Sequence, residues 1–445
     1  DVIVHQGNDF QITNEFWEKI QIMTQEFLDE GQLVTFPGYE WSGNTGLGGD
    51  RNVLFFCEGE TIRRSSHALV SDLTDVDNDC NSSDALFKSL KGTKTVVFAH
   101  VGGRYADIQS HEGNLERSVE IHSAWGTFEW LLQDALRNGY RVGIVSNSDG
   151  HKGRPGASYP GASMFGAYGG LTCMLARKLT REMIWESLLR RHHYGTTGNR
   201  MFMDVRVQLD KPGRSFIEDP QLGKTDAESI QVGIMGDIIQ TEECKVQLLI
   251  DIIASAPIEK LEIRNGLKVI ETVRPYKKTE IGNRIRVIWA GAEYRGRGRE
   301  TVWDGCATLT GNTIETFTPI NMYNLEKTVT QLDSRHLEWK AVTTGGFGGF
   351  DCGLTDHQEG SLAIETSQVN CVVPVADIGF QDFRIDAGGL ERHLRLVRLP
   401  DTNPHHKLSL ERTIPLNSSG DNPLYVCVSQ EDGHQAWSSP IYLFN

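Results

Sequence analysis

A chain of 445 residues with 39% hydrophobic and 9% aromatic side chains is long enough for two or three domains with ordinary cores. Its formal charge of −15 excludes a general nucleic-acid surface, which needs a basic footprint, yet leaves room for a small anionic ligand held by local cations. No apolar run approaches the roughly 20 residues of a membrane helix, and the eight cysteines contain no Cys-x-x-Cys pair, which disfavours a zinc ribbon or a thioredoxin-like motif. Free thiols are expected, with a cytoplasmic location favoured, although the even count leaves a disulfide open. The sequence starts at Asp1 without a signal-like segment, so any such segment is expected upstream of residue 1.

Val2-Ile3-Val4 is a short β-branched run ending in His5. Phe16, Trp17, Ile20, Met23 and Phe27 fall at helical spacing, with Asn14 as the expected cap and Thr13 as the alternative. Leu33 to Phe36 predicts a strand that runs into Pro37-Gly38-Tyr39-Glu40-Trp41-Ser42 and brings a carboxylate to its end. A glycine-rich loop over Gly43 to Gly49 follows, then Asp50-Arg51-Asn52 and a strand over Val53 to Phe56. Residues 58 to 84 are polar and irregular, and Ala85 to Leu90 predicts a helix.

Thr95 to Ala99 is an apolar, β-branched run that ends in His100. Gly102-Gly103-Arg104 adds backbone that a ligand can approach closely, and a guanidinium. In Ser118-Val119-Glu120-Ile121-His122-Ser123, strand alternation puts Glu120 and His122 on one face. Phe128 to Asn138 predicts a helix ended by Gly139. Val142 to Val145 predicts a buried strand running into Ser148-Asp149-Gly150-His151. Leu171 to Ala176 reads as a strand and Thr180 to Arg191 as a helix capped by Thr180.

Residues 1–200 therefore alternate strand and helix, which points to a parallel α/β layout. Five strands run out into His5, Glu40, His100, Glu120 with His122, and Asp149 with His151. In barrels of alternating strands and helices the carboxyl ends of strands carry the chemistry. Mixed oxygen and nitrogen donors suit zinc, manganese or iron. From residue 201 the texture changes to period-two strands, among them Met203 to Val207, Val246 to Ile252, Leu261 to Ile263 and Ile285 to Ile288. Lys211-Pro212-Gly213, Asn265-Gly266, Gly311-Asn312, Gly345 to Gly349 and Gly388-Gly389 read as the turns between strands. Leu424 to Val428 and Ser439 to Leu443 read as a closing hairpin. Residues 201–445 are thus expected to form an all-β sandwich region, as one large or two small units.

As a set, Gly38-Tyr39-Glu40, Ala99-His100-Val101-Gly102-Gly103-Arg104, Glu120-Ile121-His122 and Ser148-Asp149-Gly150-His151 resemble the later motifs of the polymerase-and-histidinol-phosphatase (PHP) superfamily. The longer stretches Gly38 to Ser42 and Glu120 to Ser123, with the β-rich tail ending Ala436-Trp437-Ser438-Ser439-Pro440, resemble its large two-part members. The resemblance implies a distorted (β/α)7 barrel holding two or three divalent metal ions, and phosphoester hydrolysis. It implies Glu40 as a bridging carboxylate, and His100 and His122 as imidazole ligands, with Glu120 as the alternative to His122. Asp149 and His151 match the final pair.

The superfamily's opening His-x-His has no counterpart here: the close histidine pairs are His192-His193 and His405-His406, at other places. His5 stands where the histidine of the second motif falls, but Val4 precedes it. The first barrel strand or strands are therefore expected upstream of Asp1, or their ligands come from another chain, such as a second copy.

The expected activity is metal-assisted hydrolysis of a small anionic phosphoester, with Arg104, Arg51 and Arg154 as candidates for neutralising the phosphate. Plainer roles are set beside these: Glu40 paired with Arg51, His100 as a core histidine bonded to backbone, Arg104 in a surface ion pair. His67 and His111 fall in polar loops and are read as solvated. Two other functions fit the same residues. One is a metal-dependent hydrolase of an amide or ester bond. The other is a non-catalytic binding protein whose barrel is incomplete.

Overall fold

Only nine residues, 42–50, join the strand Gly38–Trp41 to the strand Arg51–Phe55. A parallel crossover needs a dozen or more, so these two strands fold back on each other as an antiparallel pair. That local fact already departs from a repeating strand–helix–strand layout. The computed structural model describes residues 1–151, 153, 167–296, 300–324 and 326–445.

The first part contains β1 (Val2–Val4), α1 (Asn14–Glu26), β2 (Val34–Phe36), β3 (Gly38–Trp41), β4 (Arg51–Phe55), α2 (Ser83–Leu90), β5 (Thr95–Ala99), β6 (Glu116–Ser123), β7 (Gly126–Thr127), α3 (Glu129–Arg137), β8 (Gly143–Ser146), β9 (Leu171–Met174), α4 (Arg181–Leu189) and β10 (His193–Thr196). β1 and β2 pair in parallel as a small separate sheet. β3, β4 and β5 are antiparallel neighbours, while β5, β6 and β8 run parallel. Tyr39, Trp41, Val53 and Phe55 pack with Trp17 and Ile20 of α1 and Leu86 and Leu90 of α2. Val119, Ile121 and Ile144 pack with Leu131, Leu132 and Ala135 of α3.

Thr13, and not Asn14, caps α1: its side chain accepts the amide of Phe16. Asn14 instead accepts from Arg64 at 2.7 Å. Thr180 caps α4 as expected, accepting from the Met183 amide.

The expected (β/α)7 barrel is not formed. Strand accounts for 44% of the chain against 13% helix, and among the described residues four α-helices are present and no sheet closes on itself. The physical reason is visible at the outer edge of β8, where a further barrel strand would pair. Its outward amides are taken by hydroxyls: Val142 N–H by the Tyr442 Oη at 2.8 Å, Ile144 N–H by the Ser439 Oγ at 2.9 Å and Ser146 N–H by the Thr172 Oγ1 at 2.9 Å. With these donors satisfied, no neighbouring strand is required.

β9 and β10 belong to a twelve-stranded sheet with strands from the second half of the chain, so hydrogen bonds run across the expected boundary at residue 200. The closing hairpin pairs Asn422–Gln430 with both Gln435–Ser438 and Ile441–Phe444. Lys211-Pro212-Gly213 is no turn: it lies within the long strand Phe202–Phe216, where the register shifts between Gln208 and Gly213. A proline is tolerated in a strand at such a bulge.

Residues 284–399 form an inserted unit. Two five-stranded sheets share one core there, in which Trp289 and Trp339 stack with ring centroids 5.0 Å apart. The inserted unit is tied to the twelve-stranded sheet by buried charges. Glu259, in the strand Ile258–Asn265, takes Arg286 and Arg395 of the inserted unit at 2.5 Å each, and Arg286 also forks onto Asp351 at 2.7 and 2.9 Å.

Candidate functional site

Strand register brings the site together. Ala99 of β5 lies beside Val119 of β6 and opposite Arg51 of β4. The residue just past β5, His100, therefore sits between Asp50, just ahead of β4, and Glu120 on β6. Its amide donates to the Asp50 carbonyl at 3.2 Å. On the outer side of β4, Glu40 of β3 stands opposite Asn52. On the outer side of β6, Val145 lies beside Glu120, and the chain runs on to Asn147 and Asp149. One row across the sheet thus carries four carboxylates around one imidazole.

His100 Nδ1 donates to Glu120 Oε2 at 2.5 Å. The other oxygen of Glu120, Oε1, accepts from Asn147 Nδ2 at 3.0 Å, and Oε2 takes a second donor, the Val101 amide, at 3.3 Å. With Nδ1 so held, Nε2 faces Glu40 Oε2 at 3.8 Å and Asp149 Oδ2 at 3.9 Å. Two donors on one ion, each about 2.1 Å from it, stand roughly 3–4 Å apart. Ser42 Oγ donates to Glu40 Oε1 at 3.0 Å. Arg104 gives Asp50 its amide at 2.7 Å and its Nε at 3.1 Å, and its Nη2 reaches the Ser42 carbonyl at 2.5 Å.

Gly102 marks the centre of the arrangement. A Cβ there would lie 2.8 Å from Asp50 Oδ2, 2.8 Å from His100 Nε2 and 2.9 Å from Glu40 Oε1. One point in space is therefore faced by three donors from three strands. Its distances are roughly 0.7 Å longer than a zinc shell, and among the described residues no group of three or more His, Cys, Asp or Glu is arranged to hold a metal ion. Asn52 Oδ1, on the same sheet face as Glu40, is buried without a hydrogen-bond partner.

The electrostatics follow from crowding like charges in a dry place. Burial, opposed by His100 and reinforced by Asp50 and Asp149, pushes the Glu40 carboxyl up to about 7. Burial likewise raises Asp50, against the pull of Arg104. For His100 burial acts downwards, but the Glu120, Glu40 and Asp149 carboxylates override it and hold the imidazolium well above its ordinary value.

Glu40, His100 and Asp149 are drawn together, with Glu120 as the side chain that orients His100. Of the other sequence candidates, Arg104 stands at the row through Asp50, and His151 Nδ1 lies 3.7 Å from the Asp149 carboxylate. His122 has both ring nitrogens engaged, Nδ1 with Thr127 Oγ1 and Nε2 with the Tyr168 carbonyl, each at 2.9 Å. Burial lowers it to about 4, so it is neutral. The ring of His5 stands edge-on to Phe16 at 5.7 Å. His151 is exposed, and its Nδ1 donates to the Asp149 carbonyl at 3.0 Å. Arg51 is fully buried; its Nε pairs with Glu116 at 2.5 Å and its remaining nitrogens cap loop carbonyls. Its partner is Glu116 and not Glu40. Arg154 lies outside the described residues.

His67 and His111, read as solvated, are both paired. His67 bonds to Asp79 at 2.7 Å and Asp75 at 3.1 Å; His111 bonds to Glu116 at 2.6 Å and stacks on Tyr140. Asp50 is the site residue that sequence reading missed. Its signal was the antiparallel return of β4, which brings the beginning of one strand, not its end, to the row.

Residues 158–263 match a family described as a protein of unknown function, DUF3604. A protein of Chlamydia pneumoniae described as uncharacterized is 23% identical over 221 residues, which is 45% of this chain and 34% of that protein. The chain thus spans about a third of the length of this relative. No solved structure matches.

Proposed function

We propose that the Glu40–Asp50–His100–Asp149 row binds divalent metal and that the chain is a metal-dependent phosphoesterase. The observation that carries this reading is the point at Gly102, less than 3 Å from an imidazole nitrogen and two carboxylate oxygens of separate strands. Three features support it. The donor set is hard oxygen plus imidazole, which suits zinc, manganese or iron. The imidazole is held through its far nitrogen by a carboxylate, the usual way a metal-binding histidine is oriented. And Asn52 Oδ1, opposite Glu40 on the same sheet face, is a buried acceptor without a hydrogen-bond partner. Glu40, His100 and Asp149 are also among the ligands implied by the motif resemblance to the PHP superfamily. That resemblance now rests on the ligands and not on a barrel.

A divalent ion held by Glu40, Asp50, His100 and Asp149 would supply Lewis acidity and acidify a bound water. The chain's own groups do the rest. Glu120, fixed by Asn147 and the Val101 amide, keeps His100 Nε2 turned into the row. Arg104, tethered to Asp50 and the Ser42 carbonyl and with its side chain 31% exposed, keeps a guanidinium beside the row for a phosphate. Gly102 and Gly103 leave backbone there without side chains, so an anion can approach closely.

The test uses the full chain stripped with a chelator and reloaded with zinc or manganese. Bound metal and turnover of phosphoesters are measured beside those of amides and lactones. Metal-dependent phosphoester hydrolysis, abolished in His100→Ala, is expected. No bound metal, or turnover of amides or lactones alone, overturns the proposal.

A further inference from the structure

The inserted unit touches the turn that follows β6, the strand that carries Glu120. Its Thr344 carbonyl accepts the Thr127 amide at 3.1 Å, next to the β6–β7 turn. The approach is so close that a Cβ on Gly126 would lie 2.1 Å from that oxygen. Beside this seam Tyr323 of the inserted unit meets Tyr168 edge to face, with ring centroids 5.0 Å apart. Both rings are half-buried. Tyr168 is bound to the strand that carries Glu120: its carbonyl accepts from His122 Nε2. Two residues on, the Gly170 amide donates to the Asn147 carbonyl at 2.8 Å, and Asn147 in turn holds Glu120. Three short contacts thus lead from Tyr323 to the side chain that orients His100.

Tyr323 is also held unusually firmly. Its hydroxyl donates to Asn321 Oδ1 at 2.6 Å, and Asn321 Nδ2 donates to the Phe347 carbonyl at 3.1 Å and the Gly433 carbonyl at 3.2 Å. Asn321 has φ 53°, a left-handed conformation. Among the described residues only four non-glycine residues adopt it, and another of the four is Asp149 in the row itself. Backbone strain of this kind persists where surrounding contacts over-determine it, as at binding sites. On the far side of Tyr168 stands His434, 5.2 Å away and fixed to Thr197. Two rings set at a corner and locked from behind accept a flat ligand ring against a face and an edge together.

We infer that Tyr323 and Tyr168 form a wall that binds the organic half of the substrate, so that the preferred phosphoesters carry a flat ring, as a nucleoside monophosphate does. This rests on the phosphoesterase reading above. The inserted unit then sets specificity, and the row of carboxylates carries out the chemistry.

Adenosine 5′-monophosphate and ribose 5-phosphate share one phosphoester and differ by the base, so their comparison isolates the wall. With the metal-loaded full chain, kcat/KM is expected to favour the nucleotide. Tyr323→Ala is expected to remove that preference through KM, on the order of tenfold, and to leave ribose 5-phosphate unchanged. Tyr323→Phe keeps the ring and the preference. Equal rates in the parent protein, or an equal loss for both substrates in Tyr323→Ala, overturns the wall. If neither compound is hydrolysed, the phosphoesterase reading fails, and calorimetric titration with the nucleotide decides the wall by itself. Binding weakened by Tyr323→Ala supports it; no binding, or binding indifferent to Tyr323, overturns it.

Discussion

Gly102→Ala is the sharpest probe of the row. The added Cβ would lie 2.8 to 2.9 Å from Asp50 Oδ2, His100 Nε2 and Glu40 Oε1, roughly 0.6 Å inside ordinary contact with each. Backbone strain does not enter, because Gly102 is not among the glycines with positive φ. All three clashing atoms end side chains, so the fold can yield by turning them outwards. Overpacking of this kind costs about 1–3 kcal/mol. A binding constellation must be held within about 0.5 Å, and the methyl occupies the point the donors face. The expected result is a folded protein whose affinity for zinc or manganese drops by at least about tenfold. Calorimetric titration reads the affinity, and circular dichroism with thermal melting reads the fold. If Gly102→Ala binds metal as the parent chain does, the donors do not share an ion and the proposed site is wrong.

Glu120→Gln keeps the shape beside His100 but removes the charge that fixes its Nδ1 proton; metal affinity should fall about 10–100-fold with little change in melting. An unchanged affinity would show that Glu120 has no part in holding the imidazole. Glu259→Gln leaves Arg286 and Arg395 buried without their shared counter-charge, and urea unfolding should report a loss of about 3–5 kcal/mol; a loss below about 1 kcal/mol would mean that Asp351 on Arg286 and Asp382, 3.1 Å from Arg395, suffice. His193, pushed down to about 3 by burial, binds no proton in the folded chain but does so near 6.5 when unfolded. Its contribution is present above pH 6.5 and is lost as the pH falls towards 3, at roughly 1.4 kcal/mol per pH unit. The stability gap between the parent chain and His193→Gln should narrow across that window, and parallel curves would refute a neutral buried imidazole.

Much of the row was legible because it rests on local pattern. Apolar, β-branched runs ending in His100 and in Asp149 mark buried strands, and alternation alone puts Glu120 on a chosen face. Alternation also paired Glu120 with His122, and there it misled. The register between β6 and β8 shifts between these two residues, and the His122 ring turns to Thr127 and Tyr168. A bulge leaves no mark in a period-two pattern. The barrel failed for a related reason. Strand–helix alternation says nothing about direction, whereas the nine-residue link between Trp41 and Arg51 did carry that information and went unused. Arg51 stood as a candidate for neutralising a phosphate, but its buried partner Glu116 is 65 positions away. Pairings at that range cannot be read from neighbouring residues.

The hydroxyls that close the edge of β8 set a schedule for making the protein. Val142 waits for Tyr442, a partner 300 residues later in the chain. At about 5–20 residues per second, a ribosome needs roughly 15–60 seconds to deliver it. Throughout that interval the row of carboxylates exists as sequence but its last supporting strand has a bare edge. The earlier half of the polypeptide is then open to mispairing at that edge until the Tyr442 hydroxyl covers it.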